Sequence, residues 1–240
     1  MQKKGKIIAI TSVKGGTGKT TTVLNIAGAL HNKRKKTIII DLDLTSGVIS
    51  PILNIASSQN ICTAAEDIEN GRYEDIEKYI QKYNDYISII PSSIDPRIAL
   101  TINPKYIEKI ISDLVYQYEY ILIDTTHAIN GVNVTIFDIC DYILYIMSDD
   151  LMDIKNMKTM ISIFNNIDSN KYKIILNQAL VSSIGNYEIS SALGKAIDYI
   201  IPKGAYEKKI QKYNYNGQII AIEKPRIGRI YEGLVDKVIK

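Results

Sequence analysis

The stretch Val13-Lys14-Gly15-Gly16-Thr17-Gly18-Lys19-Thr20-Thr21 concentrates glycines, lysines and hydroxyls in a way that packing does not call for. Glycines let successive backbone N–H groups curl into one concavity, and a helix that opens directly afterwards adds the partial positive charge of its N-terminus. Such a concavity suits phosphate. Lys19 is then expected over the β- and γ-phosphates of a nucleotide, with the Thr20 hydroxyl on Mg²⁺. Gly15, Gly16, Thr17, Gly18 and Thr21 complete the cradle. Lys14 is not required by it, and on spacing alone it could be a solvated charge.

Carboxylates follow at strand ends. Asp124 closes Tyr120-Ile121-Leu122-Ile123, an apolar run that would deliver one carboxylate to a metal. Asp41-Leu42-Asp43 ends another apolar run. An isolated Asp-x-Asp commonly caps a loop, but here it lies one unit beyond a phosphate loop. His127 could sense protonation or a terminal phosphate, or could simply meet solvent or a partner.

These residues need strands that end together. Short apolar runs alternate with helix-period segments, as in βαβ units on a mostly parallel sheet. Strands are expected near 6–11, 37–41, 86–90, 120–124, 142–147, 172–177 and 197–201. Several are continuously apolar, which suits strands covered on both faces by helices. Asn103 and Pro104 start a helix whose stripe is Ile107, Ile110, Ile111, Leu114 and Val115. A second helix over 151–164 would turn Leu151, Ile154, Met157, Met160, Ile161 and Phe164 inward. Residues 42–60 and 178–187 read as loops, and no linker breaks the chain, so 1–240 is expected to be one domain.

Composition sets the outer limits. The 240 residues suit one sizeable α/β domain, and 46% hydrophobic with 23% charged content is that of a soluble globular protein. A net charge of +3 neither announces nor excludes a nucleic-acid partner. Cys62 and Cys140 lack metal-ligand spacing and read as small buried hydrophobes. No run approaches the ~18 apolar residues of a membrane span, and no cleavage site follows the basic N-terminus, so an intracellular protein is expected.

Lys14-Gly15-Gly16-Thr17-Gly18-Lys19-Thr20-Thr21 resembles the deviant Walker A box of the ParA/MinD family of ATPases. The resemblance implies a three-layer αβα P-loop NTPase fold with a doubly wound central sheet, ATP and ADP as ligands, and Mg²⁺-dependent, slow hydrolysis. It also implies a homodimer with ATP at the interface, in which Lys14 reaches the partner's phosphates and Lys19 serves its own. By the same resemblance Asp41 supports the Mg²⁺ shell and Asp43 orients the attacking water. Asn177, ending Ile174-Ile175-Leu176, is similar to an asparagine that contacts adenine, although an Asn at a strand end is also ordinary turn chemistry. Ile201-Pro202 resembles a pair near the base, and Asp150 falls where relatives place an acid facing the partner's nucleotide. The family often has Asp-Thr-Pro-x-Gly after the metal aspartate, whereas this chain has Asp124-Thr125-Thr126-His127-Ala128.

Asp41 to Gly47, Gly194 to Pro202 and Asn214 to Ile220 are similar to motifs of the Tad-pilus assembly (CpaE/TadZ) group. That implies a cytoplasmic switch, at a cell pole or on the inner face of the membrane, which positions pilus-secretion components. A partitioning ATPase that binds DNA non-specifically is the alternative, with Lys33-Arg34-Lys35-Lys36, Lys208-Lys209-Lys212 and Lys224-Arg226-Arg229 as its candidate charges. MinD-like membrane cycling through residues 229–240 is the third, although the acids in that segment suit a core-packing helix better.

Overall fold

The computed structural model describes residues 3–44, 46–93, 102–128, 130–164, 170–177, 185–202 and 207–239. Thr45 and residues 178–184 of the stretch 178–187 lie outside them, as do the side chains of Phe164, Lys208 and Lys209.

The strands are β1 (Lys6–Thr11), β2 (Thr37–Leu42), β3 (Gln81–Lys82), β4 (Ile87–Ile90), β5 (Tyr120–Thr125), β6 (Tyr142–Met147), β7 (Tyr172–Asn177) and β8 (Tyr199–Ile201). They form one sheet in the order β3-β4-β2-β5-β1-β6-β7-β8. Every pairing is parallel except that of β3 with β4. The short antiparallel β3 at the edge was not anticipated; two residues are too few to carry a periodicity.

The helices are α1 (Lys19–Asn32), α2 (Ile49–Ile52), α3 (Ile61–Glu69), α4 (Pro104–Leu114), α5 (Gly131–Ile139), α6 (Leu151–Phe164), α7 (Asn186–Leu193), α8 (Glu207–Tyr215), α9 (Ile220–Glu223) and α10 (Pro225–Val238). Alternate strand residues feed two cores. Ala9, Ile40, Ile123 and Tyr145 face α3 to α7, whereas Ile10, Ile39, Leu122 and Leu144 face α1, α9 and α10. This is the three-layer αβα architecture, and it explains why the central strands are apolar on both faces.

Local chemistry starts the helices where expected. Asn103 Oδ1 accepts the Lys105 N–H at 3.1 Å, Pro104 takes the first position, and the stripe from Ile107 to Val115 is buried. In α6, Ile154, Met157 and Met160 are buried, but Leu151 is 71% exposed and Met152 58%. The expectation for Leu151 was wrong: it is the first residue of α6, and the buried apolar stripe begins only at Ile154. The segment 42–60 is not wholly loop, since α2 forms within it.

The α10 helix packs its apolar face, Ile227, Tyr231, Leu234, Val235 and Val238, into the core. Gly28 of α1 permits this layer to close, because a Cβ there would stand 2.8 Å from Ile219 and 2.9 Å from Ala221. Both cysteines are buried and free. Among the described residues, no helix is long and apolar enough to cross a membrane.

Candidate active site

Parallel strands end together at one edge, and that edge gathers the chemistry. β1 lies between β5 and β6, and β5 lies beside β2, with Asp41 level with Asp124 and Asp124 level with Ile10. Two carboxylates separated by 83 positions therefore emerge side by side, next to the loop that leaves β1.

That loop is built around left-handed glycines. Gly16 has φ of 78° and Gly18 φ of 94°, conformations that side chains resist. Gly18 caps α1, whose first turn contains no acid, so its N–H groups and dipole are left for an anion. Lys19 is 7% exposed and Thr17 2%, and the Thr17 hydroxyl is buried without a partner. Asn177, at the end of β7, donates from Nδ2 to the Thr17 carbonyl at 2.9 Å. A Cβ on Gly18 would lie 2.5 Å from the same amide nitrogen. Here Asn177 bolts the phosphate loop to the sheet, a use of its amide that strand-end spacing did not suggest. Pro202 is exposed just beyond β8, whose Ile201 lies level with Asn177.

The Thr20 hydroxyl donates to Asp124 Oδ2 at 2.7 Å, while Asp124 Oδ1 is buried with no partner. Burial pushes the Asp124 carboxyl up to about 7, with Asp43 adding to the effect and Thr20 and Lys19 opposing it. Asp41 is also fully buried. Its oxygens accept from the N–H groups of Asp43 at 3.1 Å and Ile49 at 3.3 Å. Burial first, then the neighbouring Asp124, raises its pKa well above the carboxylate range. A hydroxyl beside two buried carboxylates, one with an orphaned oxygen, is a hard-oxygen set that fits a divalent cation such as Mg²⁺. Asp43 stands half-buried beside them.

Lys14 leans the other way. Its ammonium lies 3.2 Å from Asp150 and 3.4 Å from Asp153 of its own chain. Burial would lower its pKa, but the two carboxylates raise it overall, and Lys14 in turn lowers that of Asp150. Asp153 is fully buried, and Ser148 donates to its other oxygen through both backbone N–H and hydroxyl. Sequence reading missed Asp153, which looks like an ordinary first-turn acid of α6. The only signal was its place in Ser148-Asp149-Asp150-Leu151-Met152-Asp153 at a strand end.

The loop after Asp124 was expected to differ from the pattern Asp-Thr-Pro-x-Gly. His127 and Ala128 are exposed in it, whereas Thr126 is 5% exposed. Asn133 of α5, which no spacing argument had singled out, donates to Thr126 and Ala128.

The basic segments are surface features. Lys33 pairs with Asp236 and Lys35 with Glu119 in the turn before β2, while Lys212, Lys224, Arg226 and Arg229 are exposed.

Residues 5–180 match a protein family described as "AAA domain". An uncharacterised ATP-binding protein of Methanocaldococcus jannaschii is 22% identical over 94% of this chain and 84% of its own length. The septum site-determining protein MinD of Thermotoga maritima is 26% identical over 72% of this chain and 64% of its own. A virulence-plasmid ParA family protein of Chlamydia psittaci is 29% identical over 68% and 66%. The chain thus spans about two thirds of the length of several curated relatives that it matches. A ParA family ATPase of Chlorobium tepidum has the same fold, with a TM-score of 0.84 and 20% identity over 95% of this chain and 98% of the other. So does MinD of Pyrococcus horikoshii complexed with Mg-ADP, with a TM-score of 0.80 and 21% identity over 98% and 96%.

Proposed function

The chain belongs to the AAA-domain family, and we propose that it is a ParA/MinD-type, ATP-dependent dimerising switch that positions other components in the cell. One observation carries the reading: Lys14 stands on the phosphate loop, yet its ammonium pairs with Asp150 and Asp153 beyond the end of β6. Lys19 and the α1 N-terminus already serve the phosphates of one nucleotide, so a second, outward ammonium has its use on the nucleotide of a second copy. Leu151 and Met152, exposed beside the Lys14 ion pair, add apolar area to the same face.

In this reading Gly15, Gly16, Thr17, Gly18, Thr20 and Thr21 hold the phosphates through backbone and hydroxyl donors. Thr20, Asp124 and Asp41 would hold Mg²⁺, which supplies charge neutralisation at the phosphate oxygens. Asp43 orients the attacking water, and Asn177 fixes the loop against β7 near where the base would lie, with Pro202 at its rim. The Mg-ADP bound by the structurally similar MinD supports the ligand assignment.

Similarity of the Asp41–Gly47 and Gly194–Pro202 segments to the CpaE/TadZ group supports pilus-secretion components as the cargo. The likeness to a plasmid ParA protein, together with the exposed Lys212, Lys224, Arg226 and Arg229, favours non-specific DNA as the second reading. Membrane cycling through α10 is disfavoured, because its apolar face is committed to the core.

Sedimentation with and without Mg-ATP tests the switch. Wild type is expected to dimerise with ATP, Asp43→Ala to remain trapped as an ATP dimer, and Lys14→Ala to bind nucleotide yet stay monomeric. A Lys14→Ala protein that dimerises and hydrolyses normally refutes the cross-dimer role. A salt-sensitive, ATP-dependent shift of random duplex DNA would select the partitioning reading over the pilus one.

A further inference from the structure

Asn133 is 2% exposed and lies in the first turn of α5, where its own N–H is capped by Asn130 Oδ1 at 2.9 Å. Its side-chain amide nitrogen is 3.2 Å from the Thr126 carbonyl, 3.3 Å from the Thr126 hydroxyl and 2.5 Å from the Ala128 carbonyl. The Thr126 hydroxyl also donates to Ala128 O at 3.2 Å, and the Thr125 hydroxyl reaches Ile10 O at 2.9 Å. Two N–H bonds of one amide thus gather three oxygens of the loop that leaves Asp124. His127, between the two held residues, is directed out to solvent.

On its own, among the described residues, this loop is held only by hydroxyl bonds of 3.2 Å, from Thr125 to Thr126 O and from Thr126 to Ala128 O. Thr126 and Ala128 stand where a Pro-x-Gly sequence would restrict the chain to one turn, and neither residue fixes φ as proline does. Buried donors of an amide are costly to leave unmade, so the loop and the helix hold one another in a single arrangement. The loop begins two residues after the carboxylate assigned to the metal, so its position sets the surroundings of the terminal phosphate.

We propose that Asn133 is a positioning residue for hydrolysis: it clamps residues 126–128 to α5 and so supplies the rigidity that this loop's sequence lacks. The proposal rests on the ATPase reading above. Among the described residues, Asn133 makes no hydrogen bond to the phosphate loop or Lys19, so its loss should spare binding and slow turnover.

Steady-state hydrolysis, fluorescent-ADP titration and amide exchange test this on the full chain. Asn133→Ala is expected to bind ADP within about twofold of wild type, with KM within about threefold and kcat lowered about tenfold or more, the loss typical of a misplaced group. Amides of residues 124–128 should exchange about tenfold faster, with those of 12–20 unchanged. Asn130→Ala, which removes the α5 cap and leaves the clamp, should keep kcat within about twofold. Should Asn133→Ala fold poorly, Asn133→Ser, retaining one donor, should give an intermediate kcat and exchange rate. An unchanged kcat in folded Asn133→Ala overturns the proposal. So does loss of ADP binding in step with kcat, or an equal slowing by Asn130→Ala. If wild type hydrolyses no ATP, the ATPase reading fails instead, and the exchange rates alone decide whether the clamp exists.

Discussion

The metal-free site should be a source of instability that an isosteric substitution relieves. In the folded chain the Asp124 carboxyl is held near 7, against an ordinary value of 3.8, because it is wholly buried. Above about pH 4 the unfolded chain has released this proton, whereas the folded chain keeps it until about pH 7. The folded state therefore binds more protons across that window, and its stability falls as pH rises through it, with the raised Asp41 carboxyl acting in the same direction. At about 1.4 kcal/mol per tenfold, the gap from 3.8 to about 7 corresponds to about 4 kcal/mol. Hydration and relaxation around the carboxylate reduce this to roughly 2–4 kcal/mol. Asp124→Asn removes the charge and can still accept the Thr20 hydroxyl. In EDTA at pH 8 it should melt about 5–15 °C above wild type, at about 2–4 °C per kcal/mol for a chain of this size. At pH 5 the difference should narrow. Mg-ATP should then reverse the order by stabilising wild type and not the variant. Thermal melts across pH 5 to 8, with and without Mg-ATP, read all of this directly. If Asp124→Asn melts at or below wild type in EDTA at pH 8, the buried carboxylate is not strained and the reasoning is refuted.

Three further outcomes follow from the geometry. Gly18→Ala must adopt φ of 94° and displace the Asn177 amide, so it should lose nucleotide binding by about tenfold or more in an ADP titration while the fold persists. Asp153→Asn removes the buried counter-charge of Lys14 and keeps an acceptor for Ser148. Since a partly exposed pair contributes roughly 0.2–1 kcal/mol, ATP-dependent dimerisation should tighten by about 1.4- to fivefold in sedimentation, and weakening would show that Asp153 acts within the dimer. Leu151→Asp, at a residue 71% exposed, should leave the monomer's melting temperature within about 2 °C and abolish the ATP dimer in the same sedimentation assay.

Much of this protein was legible along the chain. Seven strands appear within about two residues of their expected positions, because apolar runs of that length bounded by turns have few other uses. Asn103 and Pro104 marked a helix start because capping is a matter of neighbouring residues. The phosphate loop was readable for the same reason: all its determinants lie within nine positions. Asn177 was recognisable as a strand-end amide, but its bond to Thr17 spans 160 positions.

The sequence by itself determined the local units and the chemistry each could offer: a glycine cradle after one strand, with a lysine at either end of it, and a carboxylate after another. Tertiary structure alone decided which of these meet. Strand order placed Asp41 beside Asp124, and burial there raises the pKa of both carboxylates. The end of β6 gave Lys14 its partners in Asp150 and Asp153, and α5 gave the loop after Asp124 its clamp in Asn133. Spacing along the chain encodes periodicity and caps, but pairings across tens to hundreds of residues depend on which strand ends are adjacent, and no local pattern records that.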